Sequence, residues 1–320
     1  MQSDSITEKN KGIMALKAIM CLFVVIIHVP MWGRNIYEPI LIVAVPCFYI
    51  ISGFYLYKGD YVREIATAWR WLKKILLLSV CLHLFYFFAI SISRGEPINW
   101  DLRSLFIQRS AIYSHLWYLT AAWQSFLIFI IVRRFCRKII YIFPILAIGN
   151  LLLGRYCFLF NEIEYPISYS LNALTTGLPY ISVGYIIAKC KLNKLYYLSS
   201  LLIPISVTFA YIENYILTIY DKNNGAHYQI STFFLASFLF ISSSSLQKIP
   251  KWIINIGEKH SANVYYYHPL IYVLCLRLFT NSFMGEILYK VIALIVFFTC
   301  IVFSYIINLL SRYLRGLWKI

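Results

Sequence analysis

The sequence feature that most constrains this chain is a hydrophobic run at residues 12–31 that contains two ionisable side chains, Lys17 and His28. About 20 helical residues, at about 1.5 Å each, cover a bilayer hydrocarbon core of about 30 Å. Eleven positions at about 100° each place Lys17 and His28 on one helical face, about 16 Å apart along the axis. Ionisable groups in a spanning helix usually face a bundle interior or a watery cavity. The alternative is that Lys17 snorkels to the headgroups and His28 hydrogen-bonds near the opposite interface.

The composition indicates a membrane protein. Of the 320 residues, 61% are hydrophobic and 13% are charged, whereas a soluble domain carries about 25% charged residues. The hydrophobic runs therefore predict an all-α fold, a polytopic membrane helix bundle with about ten transmembrane helices in a single domain over residues 1–320. The ten predicted spans are 12–32, 37–57, 72–93, 112–132, 139–154, 170–188, 195–213, 228–246, 263–280 and 287–311.

The basic residues predict the orientation. Most of the 29 Lys and Arg residues fall in alternate loops when the N-terminus is placed inside. The positive-inside rule then puts both termini in the cytoplasm. The net charge of +16 is explained by topology and contact with anionic membrane lipids, so nucleic acid is not an expected partner. The eight cysteines are scattered, without a CxxC or Cys/His cluster, so we expect neither a disulfide framework nor a metal site.

A basic cluster lies near the start of the third predicted span. Arg70, Lys73 and Lys74 follow the i, i+3, i+4 spacing that gathers three cations on one side of a helix. Such a cluster suits a polyphosphate ligand. From the residues alone, a plain positive-inside anchor explains the cluster at least as well.

Three further stretches contain polar residues next to aromatic ones. In VPCFYIISGFYL, residues 45–56, Ser52 lies beside a glycine, and small residues allow a helix or a ligand to approach closely. HLWYL, residues 115–119, brings His115 and Trp117 into the fourth predicted span. Near the predicted cytoplasmic end of the ninth span, Tyr265 and His268 are spaced as on one helical face. The remaining histidines are interpreted as solvated or incidental: His83, His227 and His260.

Taken in order, these motifs resemble those of the acyltransferase-3 family of integral-membrane O-acyltransferases. Lys17 and His28 resemble its first-helix pair, and VPCFYIISGFYL is similar to its second-helix VPxFFxxSGYxL. Arg70-x-x-Lys73 resembles the family's RxxR pair, and HLWYL resembles its LWFL-type motif. TGLPYISVGYIIA (176–188) resembles its sixth helix. IGEKHSANVYYYHPLI (256–271) resembles its late IGxxSxxIYxxH segment. The sequence departs from the family pattern in two ways. Lysine stands at positions 17 and 73 where the family has arginine, and one residue is inserted between Gly257 and Ser261. Lysine is a point charge without the bidentate fork of arginine.

The resemblance implies acyl transfer from a cytoplasmic acyl-CoA, expected to be acetyl-CoA, to a hydroxyl of an extracytoplasmic polysaccharide or glycolipid. It implies a bacterial cell membrane, His28 as general base or acyl carrier, and no metal cofactor. We expect His115 and Trp117 on the acceptor side. The expected donor-side residues are Lys17, Ser52, Arg70, Lys73, Lys74, Tyr265 and His268.

A different class of function also fits the polar residues of the first helix. A transporter or flippase for a lipid-linked saccharide could use Lys17 and His28 along a substrate or proton pathway. A scaffold in a polysaccharide assembly system is the third possibility. No inverted repeat or matching pair of interrupted helices is evident in the two halves, which favours the acyltransferase.

Overall fold

The computed structural model describes residues 10–94, 115–159, 165–220, 228–279 and 285–317. Within these ranges every regular element is a helix and there is no strand, so the all-α prediction is confirmed. Thirteen α-helices are present in these ranges: α1 (Lys11–His28), α2 (Arg34–Leu41), α3 (Ala44–Leu56), α4 (Tyr61–Arg94), α5 (Trp117–Phe135), α6 (Ala147–Leu153), α7 (Ile167–Ser170), α8 (Leu178–Lys189), α9 (Tyr196–Tyr220), α10 (Ile230–Ser243), α11 (Lys251–Asn255), α12 (Ser261–Phe279) and α13 (Gly285–Leu317).

Several helical segments have the length and apolarity needed to cross a membrane. Five such segments occur in the described part of the chain: Lys11–His28, Arg34–Leu56, Tyr61–Ala89, Leu192–Ile219 and Tyr289–Tyr313. Each overlaps one predicted span. The predicted span at 139–154 is instead broken into two 3₁₀ turns and the short α6. The count of ten spans and the cytoplasmic position of both termini stay predictions.

Helix α4 begins earlier than the sequence pattern suggested. The Asp60 carboxylate accepts the backbone N–H of Arg63 at 3.0 Å, which is the bond of an N-cap, and the helix starts at Tyr61. The prediction placed the start near residue 72, because a hydropathy pattern does not detect a polar first turn. The cluster of Arg70, Lys73 and Lys74 therefore lies about three turns inside the helix and not at its beginning.

Helix α1 occupies the centre of the bundle, in contact with α3, α10, α12 and α13. Asn10 caps its start in two ways: the side-chain oxygen accepts the N–H of Ile13 at 3.1 Å, and the amide donates to the carbonyl of Ser244 at 2.5 Å. Most of its residues are buried, although Ile19 is exposed. A helix that is apolar around its whole circumference is typical of such a central position.

The inserted residue in the late motif produces a π-helical turn. Residues Ile256–His260 form this turn directly before α12. A π turn closes with i→i+5 hydrogen bonds, so it holds one residue more than an α turn. The turn packs on α1, where a Cβ at Gly257 would lie 1.8 Å from the carbonyl oxygen of Met14. Glycine is therefore required for this contact.

Helices α3 and α8 approach each other closely at two glycines. A Cβ at Gly53 would lie 1.8 Å from the carbonyl oxygen of Ile181, and one at Gly184 would lie 1.9 Å from that of Ile50. Backbone contact of this kind is how helices associate in a membrane, where apolar side chains gain little by leaving lipid. The close packing predicted from Ser52 and Gly53 is confirmed.

We predict that Gly53→Ala destabilises the protein, although alanine is the better helix former by about 1 kcal/mol. Overpacking costs about 1–3 kcal/mol, so we expect a net loss and a lower melting temperature in detergent. The control is Gly149→Ala in α6, where a Cβ meets only the flexible Thr175 Cγ2 at 3.2 Å. Equal melting temperatures for the two variants would contradict the close α3–α8 contact.

Candidate functional site

A cavity of about 380 Å³ lies between α1, α3, α4, α5 and the first turns of α12. Aromatic and aliphatic side chains form most of its wall, and two amines, those of Lys17 and Lys74, line it. Lys17 is half-buried and Lys74 is exposed. Positive charge beside an apolar wall acts in a lower dielectric than water and so attracts anions more strongly. The cavity thus suits a ligand that carries both an anionic group and apolar surface.

Ser52 contributes an acceptor to this cavity. Its hydroxyl donates to the carbonyl of Phe48 at 2.9 Å, one turn back along α3. The proton is engaged in that bond, and Ser52 lines the cavity next to Tyr118, so its oxygen acts there as an acceptor. Ser52 can therefore accept a hydrogen bond from an amide-containing ligand.

Three histidines from distant parts of the chain form a cluster at the end of α1. The ring of His28 lies 5.1 Å from that of His268 and 6.4 Å from that of His115, measured between centroids. The rings of His115 and His268 are 5.4 Å apart. His28 is half-buried, whereas the other two are buried. A search of the described residues for three or more His, Cys, Asp or Glu side chains placed to hold a metal ion found none.

Backbone carbonyls fix the proton position on two of these rings. His28 Nδ1 bonds to the carbonyl of Val24 at 2.8 Å, and His268 Nδ1 bonds to that of Tyr265 at 2.9 Å. A carbonyl can only accept, so Nδ1 carries the proton in both rings and Nε2 keeps a lone pair. A lone pair held in a fixed direction is what a general base requires.

Two tyrosines separate the cavity from the histidine cluster. The rings of Tyr118 and Tyr265 both line the cavity and lie 5.5 Å apart. The Tyr265 ring is also 6.0 Å from that of His115 and 6.3 Å from that of His268. Its hydroxyl donates to the backbone carbonyl of His115. The cavity therefore ends about one aromatic ring short of the histidines.

The predicted site residues fall into three groups in the structure. The cavity brings together Lys17, Ser52, Lys74 and Tyr265, and the cluster brings together His28, His115 and His268. The expected position of His268 near the cytoplasmic end of its span is wrong, because the helical stretch begins at Lys251 and His268 lies beside the end of α1. Arg70 and Lys73 are exposed on α4 and are not among the cavity-lining residues. Trp117 is half-buried at the first position of α5.

The other histidines are interpreted as solvated or incidental, and the solvated interpretation is wrong for His83 and His260. Both are buried. His83 Nδ1 donates to the carbonyl of Ser79 at 2.7 Å, and His260 Nδ1 bonds to the hydroxyl of Ser304 at 2.9 Å. Helical burial of a single histidine leaves no sequence pattern that distinguishes it from an exposed one. His227 lies outside the described residues.

A buried ion pair near the basic cluster was missed by the sequence analysis, which treated its members as loop charges. Glu64 of α4 and Arg133 of α5 are 2.6 Å apart, and both are buried. The hydroxyl of Tyr185, in α8, donates to the same carboxylate at 2.9 Å. The ion pair and this tyrosine therefore link α4, α5 and α8, in the part of α4 that precedes its basic cluster. Removing one member of such a buried pair costs about 3–5 kcal/mol, because the other is left unpaired.

Apolar helices of membrane-crossing length, together with a cavity that two amines line and a nearby histidine cluster, define a membrane protein with an internal cavity. Comparison with protein families gives the particular class: residues 10–309 match the model of the acyltransferase domain of the acyltransferase-3 family. The chain belongs to this family, as the motifs suggested. It is a membrane acyltransferase, which acts on an acyl donor and an acceptor. No curated protein and no solved structure matches the chain.

Proposed function

We propose that this protein transfers an acetyl or other short acyl group from cytoplasmic acyl-CoA to a hydroxyl of an extracytoplasmic polysaccharide or glycolipid. The observation that supports this most is the pairing of two sites along α1. Lys17 lines a cavity suited to an anionic ligand, and His28 lies eleven residues further on, in a cluster of imidazoles. A donor site and a base at about 16 Å along one helix match the reach of an extended pantetheine arm.

In this proposal the cavity binds the donor. The amines of Lys17 and Lys74 contact the phosphates of CoA, as point charges. Arg70 and Lys73 lie outside the cavity on the same helix, where they raise the local positive potential and favour the approach of the anion. The aromatic wall contacts the pantetheine arm, and Ser52 accepts a hydrogen bond from one of its amides.

The thioester reaches His28 after a local rearrangement. The cavity ends at Tyr118 and Tyr265, so one of these rings must turn away before the thioester carbon meets the histidine cluster. Rotation of an aromatic ring about its side-chain torsions needs no change of fold. Closure behind the donor would also keep water from the thioester.

His28 then acts as the general base. Its Nε2 removes the proton of the acceptor hydroxyl while the oxygen attacks the thioester carbonyl, and the carbon–sulfur bond breaks. The hydroxyl proton ends on the CoA sulfur, so the products are the ester and free CoA. The Val24 carbonyl keeps Nδ1 protonated throughout. A covalent acyl-histidine would use the same Nε2 lone pair.

The acceptor approaches from the other side of the membrane. With both termini in the cytoplasm, His28 lies in the outer half of the bilayer. Trp117, at the start of α5, lies two residues from His115 of the cluster. Its half-buried ring offers a face on which a sugar can pack, and His115 lines the path to His28. These placements fit a bacterial cell membrane that faces a surface glycan.

The test is to incubate purified protein with labelled acetyl-CoA and candidate glycans. Release of the CoA thiol and transfer of the label to the glycan are measured. We predict that His28→Ala lowers turnover by about 10²–10⁴-fold, the usual contribution of a general base. His260→Asn, a change of another buried histidine, should retain most of the activity. A transporter, flippase or scaffold would leave the thioester intact, and full activity of His28→Ala would contradict the base role.

We also predict that Lys74→Met raises the KM for acetyl-CoA about tenfold with kcat unchanged. A hydrogen bond to a charged group contributes about 1.5–3 kcal/mol, and the variant removes only the amine. Lys73→Met is the matched control, one position along α4 and away from the cavity, and its effect on KM should be smaller. Equal effects of the two substitutions would mean that the cations act as a diffuse anchor.

A further inference from the structure

We propose that His268 is the proton-sharing partner of His28, an inference that rests on the proposed function. Its Nε2 accepts a hydrogen bond from the imidazolium that His28 becomes when it takes the hydroxyl proton. His268 thus acts through His28 as a positioning residue. The sequence analysis had placed it among the donor-binding residues.

The first observation is an unused buried acceptor. His268 is 0% exposed, and within the residues that the structure describes its Nε2 has no hydrogen-bond partner. Leaving a buried polar atom unsatisfied costs about 1–3 kcal/mol, and an apolar side chain at this position would avoid that cost. The ring also does not line the donor cavity. The lone pair is therefore available for a partner that exists only during the reaction.

The second observation is that the helix fixes which nitrogen is free. Pro269 lies inside α12 and has no N–H, so the carbonyl of Tyr265, four residues earlier, loses its usual helical donor. His268 Nδ1 donates to this carbonyl at 2.9 Å and to that of Val264 at 3.2 Å. The proton is thereby held on Nδ1, and Nε2 is kept as an acceptor.

The third observation concerns the surroundings of His28. In the described part of the chain, His28 bonds to the Val24 carbonyl, and neither a hydrogen bond nor an ion pair joins it to a carboxylate. A cation formed on this ring, in a membrane interior, needs a nearby acceptor. His268 is the nearer of the two neighbouring imidazoles, at 5.1 Å against 6.4 Å for His115.

The proton that His28 takes up is released again within the same reaction. The acceptor hydroxyl gives its proton to His28 Nε2 as the new ester bond forms. While the tetrahedral intermediate exists, this N–H is shared with the lone pair of His268 Nε2. When the carbon–sulfur bond breaks, the proton passes to the CoA sulfur and His28 returns to its neutral form, while His268 has stayed neutral throughout.

The test uses His268→Asn in the full-length protein. The asparagine amide can still donate to the Tyr265 carbonyl, as Nδ1 does, but the Nε2 lone pair is lost. We expect kcat to fall about 10–100-fold, the KM for acetyl-CoA to stay unchanged, and the solvent deuterium isotope effect on kcat to increase. His268→Gln, measured in the same way, replaces the first variant if asparagine prevents folding, and size-exclusion chromatography reports folding.

Three results would overturn the inference. A raised KM with kcat preserved would make His268 a donor ligand, and an unchanged kcat and isotope effect would give it no part in proton handling. His115→Asn should lower kcat less than His268→Asn, and a larger loss would move the partner role to His115. Failure of the proposed function is seen separately, because wild-type protein would then not consume acetyl-CoA.

Discussion

The structure depends on one constraint: a polar atom buried among membrane helices must find its partner inside the protein, because lipid offers none. Most of the buried polar groups obey it. Glu213 of α9 accepts the backbone N–H groups of Ile230 and Ser231 at 2.7 and 2.8 Å, and so caps the start of α10. Between α4 and α5, a terminal nitrogen of the Arg133 guanidinium donates to the Glu64 carboxylate at 2.6 Å. Among the buried side-chain atoms of the described residues that lack a partner are the Nε2 atoms of His115 and His268, and these two rings lie together beside His28.

The rings of His115 and His268 lie beside the end of α1, the helix that also carries Lys17 and His28. A helix that neighbouring helices contact on several sides can hold a lysine at one level and a histidine at another against protein. Close backbone contacts support the position, since the π turn packs on the Met14 carbonyl at Gly257. The inserted residue of the late motif is therefore absorbed before α12 begins. Tyr265 and His268 still reach the cluster, because α12 itself remains regular there apart from Pro269.

The sequence was sufficient for the all-α class, the family and the shared face of Lys17 and His28, because these depend on composition, motif order and helical periodicity. It was not sufficient to choose Lys74 over Lys73 as the cavity-lining cation. That choice depends on how α4 is rotated against its neighbours, which local spacing does not determine. The same holds for the Tyr118–Tyr265 contact and the Glu64–Arg133 pair, whose members are far apart in the chain. The histidine cluster likewise needed tertiary structure, although resemblance had singled out each member.

The most direct measurement of the central claim is a cryo-electron microscopy structure of the protein with a thioether analogue of acetyl-CoA. The account predicts density in the cavity, with phosphates at Lys17 and Lys74, the pantetheine arm beside Ser52, and the sulfur at or past the Tyr118–Tyr265 pair, towards His28. Density at another surface, or an arm that runs away from the histidine cluster, would contradict the account.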